Sequence, residues 1–132
     1  MEFRQMKKGI LIVTANFEFS NLMETYLSRS FNVKIAGNCE EACILAENGF
    51  LPDLIISESP LSLSDGKSLT VKIKENFESK NIRILILTGK EKKTGNISLI
   101  RTDDNSYMVK PFRLTDLERR VRILLEDEAD NN

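Results

Sequence analysis

An α/β domain built on a parallel sheet is what this 132-residue sequence predicts, and three observations predict it. Short apolar runs rich in β-branched residues alternate five times with helical patterns, the order that generates right-handed crossovers between parallel strands. Three of those runs, Ile10 to Val13, Leu54 to Ile56 and Ile84 to Leu87, are apolar at consecutive positions, as strands are when helices cover both faces of a sheet. The length suits a single core, in which roughly two-thirds of the unfolded chain's surface is removed from water.

Strands are expected at Gly9 to Val13, Val33 to Ala36, Leu54 to Ser57, Ile82 to Leu87 and Tyr107 to Val109. The second alternates, with Lys34 between Val33 and Ile35, which suits a strand nearer an edge. A first helix has Asn16 as its cap and turns Phe19, Leu22, Met23, Tyr26 and Leu27 inward. Asn38 and Glu41 resemble a capping box opening a second helix, whose inner stripe is Ala42, Cys43, Leu45 and Ala46 and which ends at Gly49 and Pro52. A third begins after Ser64-Asp65, presents Leu69, Ile73 and Phe77 and stops near Asn81. The fourth, Lys90 to Ile100, is the weakest, because Gly95 costs about 1 kcal/mol relative to Ala and Ile97 is β-branched. The last runs from about Leu114 to Leu125 with Leu114, Leu117, Val121, Leu124 and Leu125 inward. The domain is expected to span residues 1–126, leaving 127–132 as an acidic disordered tail or the start of a linker.

Composition removes several function classes. Nineteen basic and twenty acidic residues leave a formal charge of −1, so no global field draws the chain to nucleic acid or an anionic membrane. The absence of histidine removes the commonest general base and the commonest metal ligand. Cys39 and Cys43 are the only cysteines and have no second pair with which to complete a metal site. Cys43 is expected in the core and Cys39 as incidental. No apolar run reaches the roughly 18 to 20 residues that cross a bilayer, and the first eight residues lack a signal-peptide core. A cytoplasmic protein is expected. The lysines Lys90, Lys92 and Lys93 do not have the spacing of a Walker motif, and the arginines of the last helix are matched by Asp116, Glu118, Glu126 and Asp127, as on a solvated, ion-paired face.

In open parallel sheets, functional groups gather at the carboxyl ends of the strands. Those ends carry Thr14-Ala15, Glu58, Thr88-Gly89 and Lys110-Pro111. The segment from Pro52 through Glu58 to Gly66, Leu87-Thr88-Gly89, and Tyr107-Met108-Val109-Lys110-Pro111-Phe112 resemble, in this order and at this spacing, the receiver domain of bacterial response regulators. The resemblance covers nearly the whole chain. It implies a CheY-like, flavodoxin-like doubly wound sheet of five strands in the order 2-1-3-4-5.

The resemblance also implies a function in two-component phosphorelay signal transduction, together with departures from it. In the family, two acids after the first strand and an acceptor aspartate bind Mg²⁺, and the aspartate takes a phosphoryl group from a histidine kinase. Thr14 and Ala15 stand at the two acidic positions and Glu58 at the acceptor position. Phosphoryl transfer brings anionic groups together and needs a divalent ion with hard oxygen ligands, so no cofactor is expected and Mg²⁺ binding should be lost. Thr88, Tyr107 and Lys110 match the switch and phosphate-contacting residues, and Pro111 is the candidate for a cis proline. Thr88 also fits simply as the end of a buried strand, and Tyr107 as a half-buried core aromatic.

Glu58 reaches one methylene further than aspartate, toward Thr88 and Lys110. It is expected either to form a standing ion pair with Lys110 that partly mimics the phosphorylated state, or merely to neutralise that lysine. The expectation is therefore a non-enzymatic pseudo-receiver that acts by protein contacts. Its partners, a second copy of the chain among them, would dock on the surface of the fourth helix, fifth strand and fifth helix, with no direct nucleic-acid or membrane role. Two alternatives stand beside it: a small-molecule sensor using the vacated pocket near Thr14, Thr88 and Lys110, and a residual phosphoryl acceptor using Glu58 or Ser57.

Overall fold

Consecutive apolar residues make strands that must be covered on both sides, and the covering is visible residue by residue. The strands are β1(Gly9–Val13), β2(Asn32–Ala36), β3(Leu54–Ser57), β4(Arg83–Thr88) and β5(Asn105–Val109). The computed structural model describes residues 7–58, 82–88 and 105–130, excluding the side chains of 88, 105–107 and 126–130. Within it the strands form one sheet in the order β2-β1-β3-β4-β5, every pairing parallel. Three helices are described: α1(Phe17–Leu27), α2(Cys39–Glu47) and α3(Leu114–Asp130), the last being the fifth of the expected series. The expected third and fourth helices lie outside the described residues.

Alternation of side chains along each strand divides the core in two. Ile10, Ile12, Leu54, Ile56, Leu85 and Leu87 point to one face, where they meet Met23 and Leu27 of α1 and Leu117, Val121 and Leu125 of α3. Leu11, Val13 and Ile55 point to the other, against Ala42 and Ala46 of α2. The small residues of α2 let that helix approach the sheet closely, and Cys43 and Cys39 are both half-buried against this cluster. Cys39 is thus a packing residue instead of an incidental one. Each fully buried Leu or Ile contributes about 1.5–3 kcal/mol.

Both caps occur where the sequence places them. Asn16 Oδ1 accepts from the Phe19 amide at 3.1 Å, and Asn38 Oδ1 from the Glu41 amide at 2.8 Å. The return contact differs from a capping box: Glu41 Oε1 accepts from the amide of Gly37, one residue before the cap, at 2.7 Å. At the other end of α2, Gly49 takes φ +106°. Its amide donates to Ala46 O and that of Phe50 to Leu45 O, both at 3.0 Å, a Schellman stop that favours glycine at this position. Asn38→Ala removes one capping acceptor and is expected to lower stability by about 1 kcal/mol, measured by denaturant unfolding.

Two further expectations are corrected. Leu22 is 58% exposed, because the face of α1 that meets the sheet is centred on Ser20, Met23 and Leu27 and Leu22 lies past its edge. Ser20 is buried in its stead, its hydroxyl donating to Phe17 O at 3.2 Å. Helix α3 continues to Asp130, beyond the expected end at Leu125, so most of the segment read as a disordered tail is helical. Nothing after Leu125 stops it: Glu126 to Asp130 contain neither glycine nor proline.

Candidate functional site

Parallel pairing decides which residues meet at the carboxyl edge of the sheet. Val13 of β1 lies beside Ser57 of β3 in the register, so the next residues, Thr14 and Glu58, emerge as neighbours. Lys110 follows β5, two strands from β3 and hence about 10 Å away at the backbone. Only a long side chain spans that gap. The Lys110 ammonium reaches across and forms an ion pair with Glu58 Oε2. The other carboxylate oxygen, Oε1, accepts from the Thr14 hydroxyl.

Thr14 is itself held from two sides. Its amide donates to Ala36 O at 3.0 Å, continuing the β1–β2 ladder by one residue, and its Oγ1 accepts from the Asn16 amide at 3.1 Å. Thr14 is buried, whereas Ala15 is exposed and its methyl group has no polar atom to offer. Above the pair sits Phe19, with the Lys110 Nζ 5.2 Å from its ring centroid and the Phe112 ring centroid 6.2 Å away. The ammonium therefore has a carboxylate on one side and an aromatic face on another, an arrangement that favours a cation.

Glu58 and Lys110 are partly shielded, with side chains 24% and 38% exposed. Burial works to raise the pKa of Glu58, but the hydrogen bonds from Lys110 and Thr14 and the charge of Lys110 outweigh it and hold the carboxyl below its ordinary value of 4.5. Glu58 is an anion at neutral pH. An open cleft of about 320 Å³ adjoins the pair, lined by Asn16, Glu18, Phe19, Leu22, Glu58 and Lys110.

Of the residues singled out by sequence, the structure brings together Thr14, Glu58 and Lys110. The Lys110–Pro111 peptide bond is cis. Thr88 and Tyr107 occupy β4 and β5 at the expected places, but their side chains lie outside the described residues. Sequence reasoning missed that the Thr14 hydroxyl donates to Glu58, and that Asn16 and Phe19, read as a cap and a core residue, also belong to the site. The residue types at 14, 16 and 19 were plain; only their convergence was not. Among the described residues no three acidic, cysteine or histidine side chains gather as a metal site, and no helix is long and apolar enough to cross a membrane.

The family model for the response regulator receiver domain matches residues 10–122. The chain is 34% identical over 125 residues to the transcriptional regulatory protein SrrA of Staphylococcus aureus, covering 91% of this chain and 48% of that protein. It is 28% identical over 121 residues to histidine kinase P4 of Formosa agariphila, covering 92% of this chain and 9% of the kinase. It thus spans about half the length of the first relative and a small part of the second. In fold it is similar to a receiver-modulated diguanylate cyclase from Pelobacter carbinolicus, with TM-score 0.70 at 23% identity, covering 94% of this chain and 97% of that one. A CheY-like receiver domain protein from Methanospirillum hungatei also gives TM-score 0.70, at 21% identity, covering 96% and 99%.

Proposed function

We propose, from the premise that this chain belongs to the response regulator receiver domain family, that it works as a pseudo-receiver, signalling through protein contacts without aspartyl phosphorylation. The observation that carries this reading is the double engagement of Glu58. Both oxygens at the acceptor position are already bonded, one to the Lys110 ammonium and one to the Thr14 hydroxyl. Each oxygen keeps a further lone pair, but the two contacts hold the carboxylate's orientation toward Lys110 and Thr14, and attack on phosphorus also needs its charge to be offset against that of the incoming phosphoryl group.

The residues present do not fit a magnesium ion. Mg²⁺ takes hard oxygen ligands in near-octahedral array, and Thr14 and Ala15 supply a single hydroxyl whose proton is directed at Glu58. A dication at Glu58 would compete with Lys110 for the same negative charge, and the ammonium itself repels a second cation. Glu18, on the first turn of α1, adds a carboxylate at the cleft but does not release Glu58. Ser57, the other residue that could accept a phosphoryl group, is buried. In place of a transferable group the site holds a standing anion facing Lys110. Glu58 carries one negative charge where a phosphoryl group brings nearly two, so it supplies part of the phosphorylated state's electrostatics at all times.

The output surface in this reading includes β5 and α3 and takes a protein partner. Among the described side chains of α3, Arg122 Nη2 donates to Glu118 at 2.8 Å and Arg119 lies 3.5 Å from Asp116, so these four charges are paired within the helix. Incubation with Mg²⁺ and a small acyl-phosphate donor, followed by intact-mass measurement, is expected to leave the mass unchanged; a single phosphoryl adduct would overturn the proposal. One observation favours a second reading, that of a small-molecule sensor: the open cleft beside Glu58 and Lys110. A metabolite that raises the melting temperature at sub-millimolar concentration would select it.

A further inference from the structure

The polar contacts of the site close into a ring. Glu58 Oε1 accepts from Thr14 Oγ1, Thr14 Oγ1 accepts from the Asn16 amide at 3.1 Å, and Asn16 Oδ1 accepts from the Phe19 amide at 3.1 Å. The Phe19 ring stands 5.2 Å from the Lys110 ammonium, which returns to Glu58 through Oε2. We infer that Thr14 is a positioning residue, whose hydroxyl orients the Glu58 carboxylate toward Lys110 and couples the state of Glu58 to the capped start of α1. The inference rests on the standing Glu58–Lys110 pair proposed above.

Three features give the hydroxyl this role. A threonine hydroxyl has one proton to donate, and because Oγ1 already receives the Asn16 amide, that proton is free to be aimed at Glu58. The backbone of Thr14 is fixed by its amide bond to Ala36 O, so the side chain starts from a rigid strand end. Thr14 is also only 5% exposed, which leaves little room for water to substitute for its hydroxyl. Within the ring it is the one side chain that touches both the acceptor-position carboxylate and the backbone of the β1–α1 junction. A displacement of Glu58 by a partner removes the acceptor of the Thr14 proton and loosens the anchor of the Asn16 amide next to the cap.

The test uses the isotope-labelled full chain at neutral pH and reads two NMR signals, the Glu58 side-chain carboxyl carbon and the Asn16 amide. Thr14→Val keeps the volume and β-branching but removes the hydroxyl; Thr14→Ser keeps the hydroxyl and removes the methyl. The expected result is a shift of both signals in Thr14→Val and their return to wild-type positions in Thr14→Ser. A packing role gives the reverse, a silent Val variant and a perturbed Ser variant, and overturns the inference. Should the Val chain not fold, the Ser chain decides alone, unchanged signals supporting the role of the hydroxyl and shifted ones sinking it. Lys110→Met serves as the separate arm. If it leaves the Glu58 carboxyl signal in place, the standing ion pair fails and the proposed function with it, whereas a response to Lys110→Met with none to Thr14→Val removes only the role given to Thr14.

Discussion

Lys110→Met is expected to lower stability by about 1–2 kcal/mol at neutral pH. Methionine keeps much of the aliphatic stem but leaves the Glu58 carboxylate with the Thr14 hydroxyl as its remaining partner among the described residues. Removing one member of a charged, hydrogen-bonded pair exposes the desolvation cost of the other, on the order of 1–3 kcal/mol. Solvent reaches both side chains, at 24% and 38% exposure, and screens part of that penalty. The pH dependence follows from the lowered pKa of Glu58. Its interactions stabilise the folded state fully above the unfolded carboxyl pKa and lose effect as pH falls through the lower, folded value. The gap between wild type and Lys110→Met should therefore be widest at neutral pH and shrink once the medium is acidic enough to protonate Glu58. Denaturant melts at neutral pH and below the usual carboxylate range measure it; a gap that does not depend on pH would show that the lysine contributes packing and not charge.

Leu85→Ala is expected to cost about 2–5 kcal/mol. Leu85 lies in β4 with no solvent exposure, inside the cluster formed with α1 and α3, and β4 has strands on both sides, so the cavity can close only by shifting several elements at once. Ile123→Ala supplies the contrast. That residue is 49% exposed on α3, and the change should stay within about 0.5 kcal/mol, as surface substitutions do. Thermal or urea unfolding of the two variants checks the difference. If Leu85→Ala melted like Ile123→Ala, the assignment of β4 to the interior would be wrong.

The site was legible in sequence to different degrees for particular reasons. The encounter of Glu58 with Lys110 could be anticipated because each immediately follows a strand, and parallel strands bring such positions to one edge. The Thr14 contact was not, since a neutral residue where acids were expected reads as a loss, and nothing in one dimension tells where a hydroxyl proton points. Helical spacing marks Phe19 as core, and it does pack there in part. Its second contact, with Lys110, joins residues 91 positions apart in the chain. Leu22 shows the limit on the other side, because periodicity gives the width of an apolar face only to within about one residue and the packing of α1 against the sheet sets its true edge.

Local chemistry decided the rest of what could be read early. Runs of β-branched residues, an Asn cap before each of the first two helices and the glycine after α2 each express a preference that is complete within a few residues, so these elements, their order and the two-sided burial of the sheet follow from local chemistry. Only packing in three dimensions decided that both oxygens of Glu58 are engaged, one by Thr14 and one by Lys110. That fact depends on three side chains from the ends of three strands meeting at one point. Their distances are set by strand register and by the reach of a lysine across β4, quantities that no stretch of sequence contains.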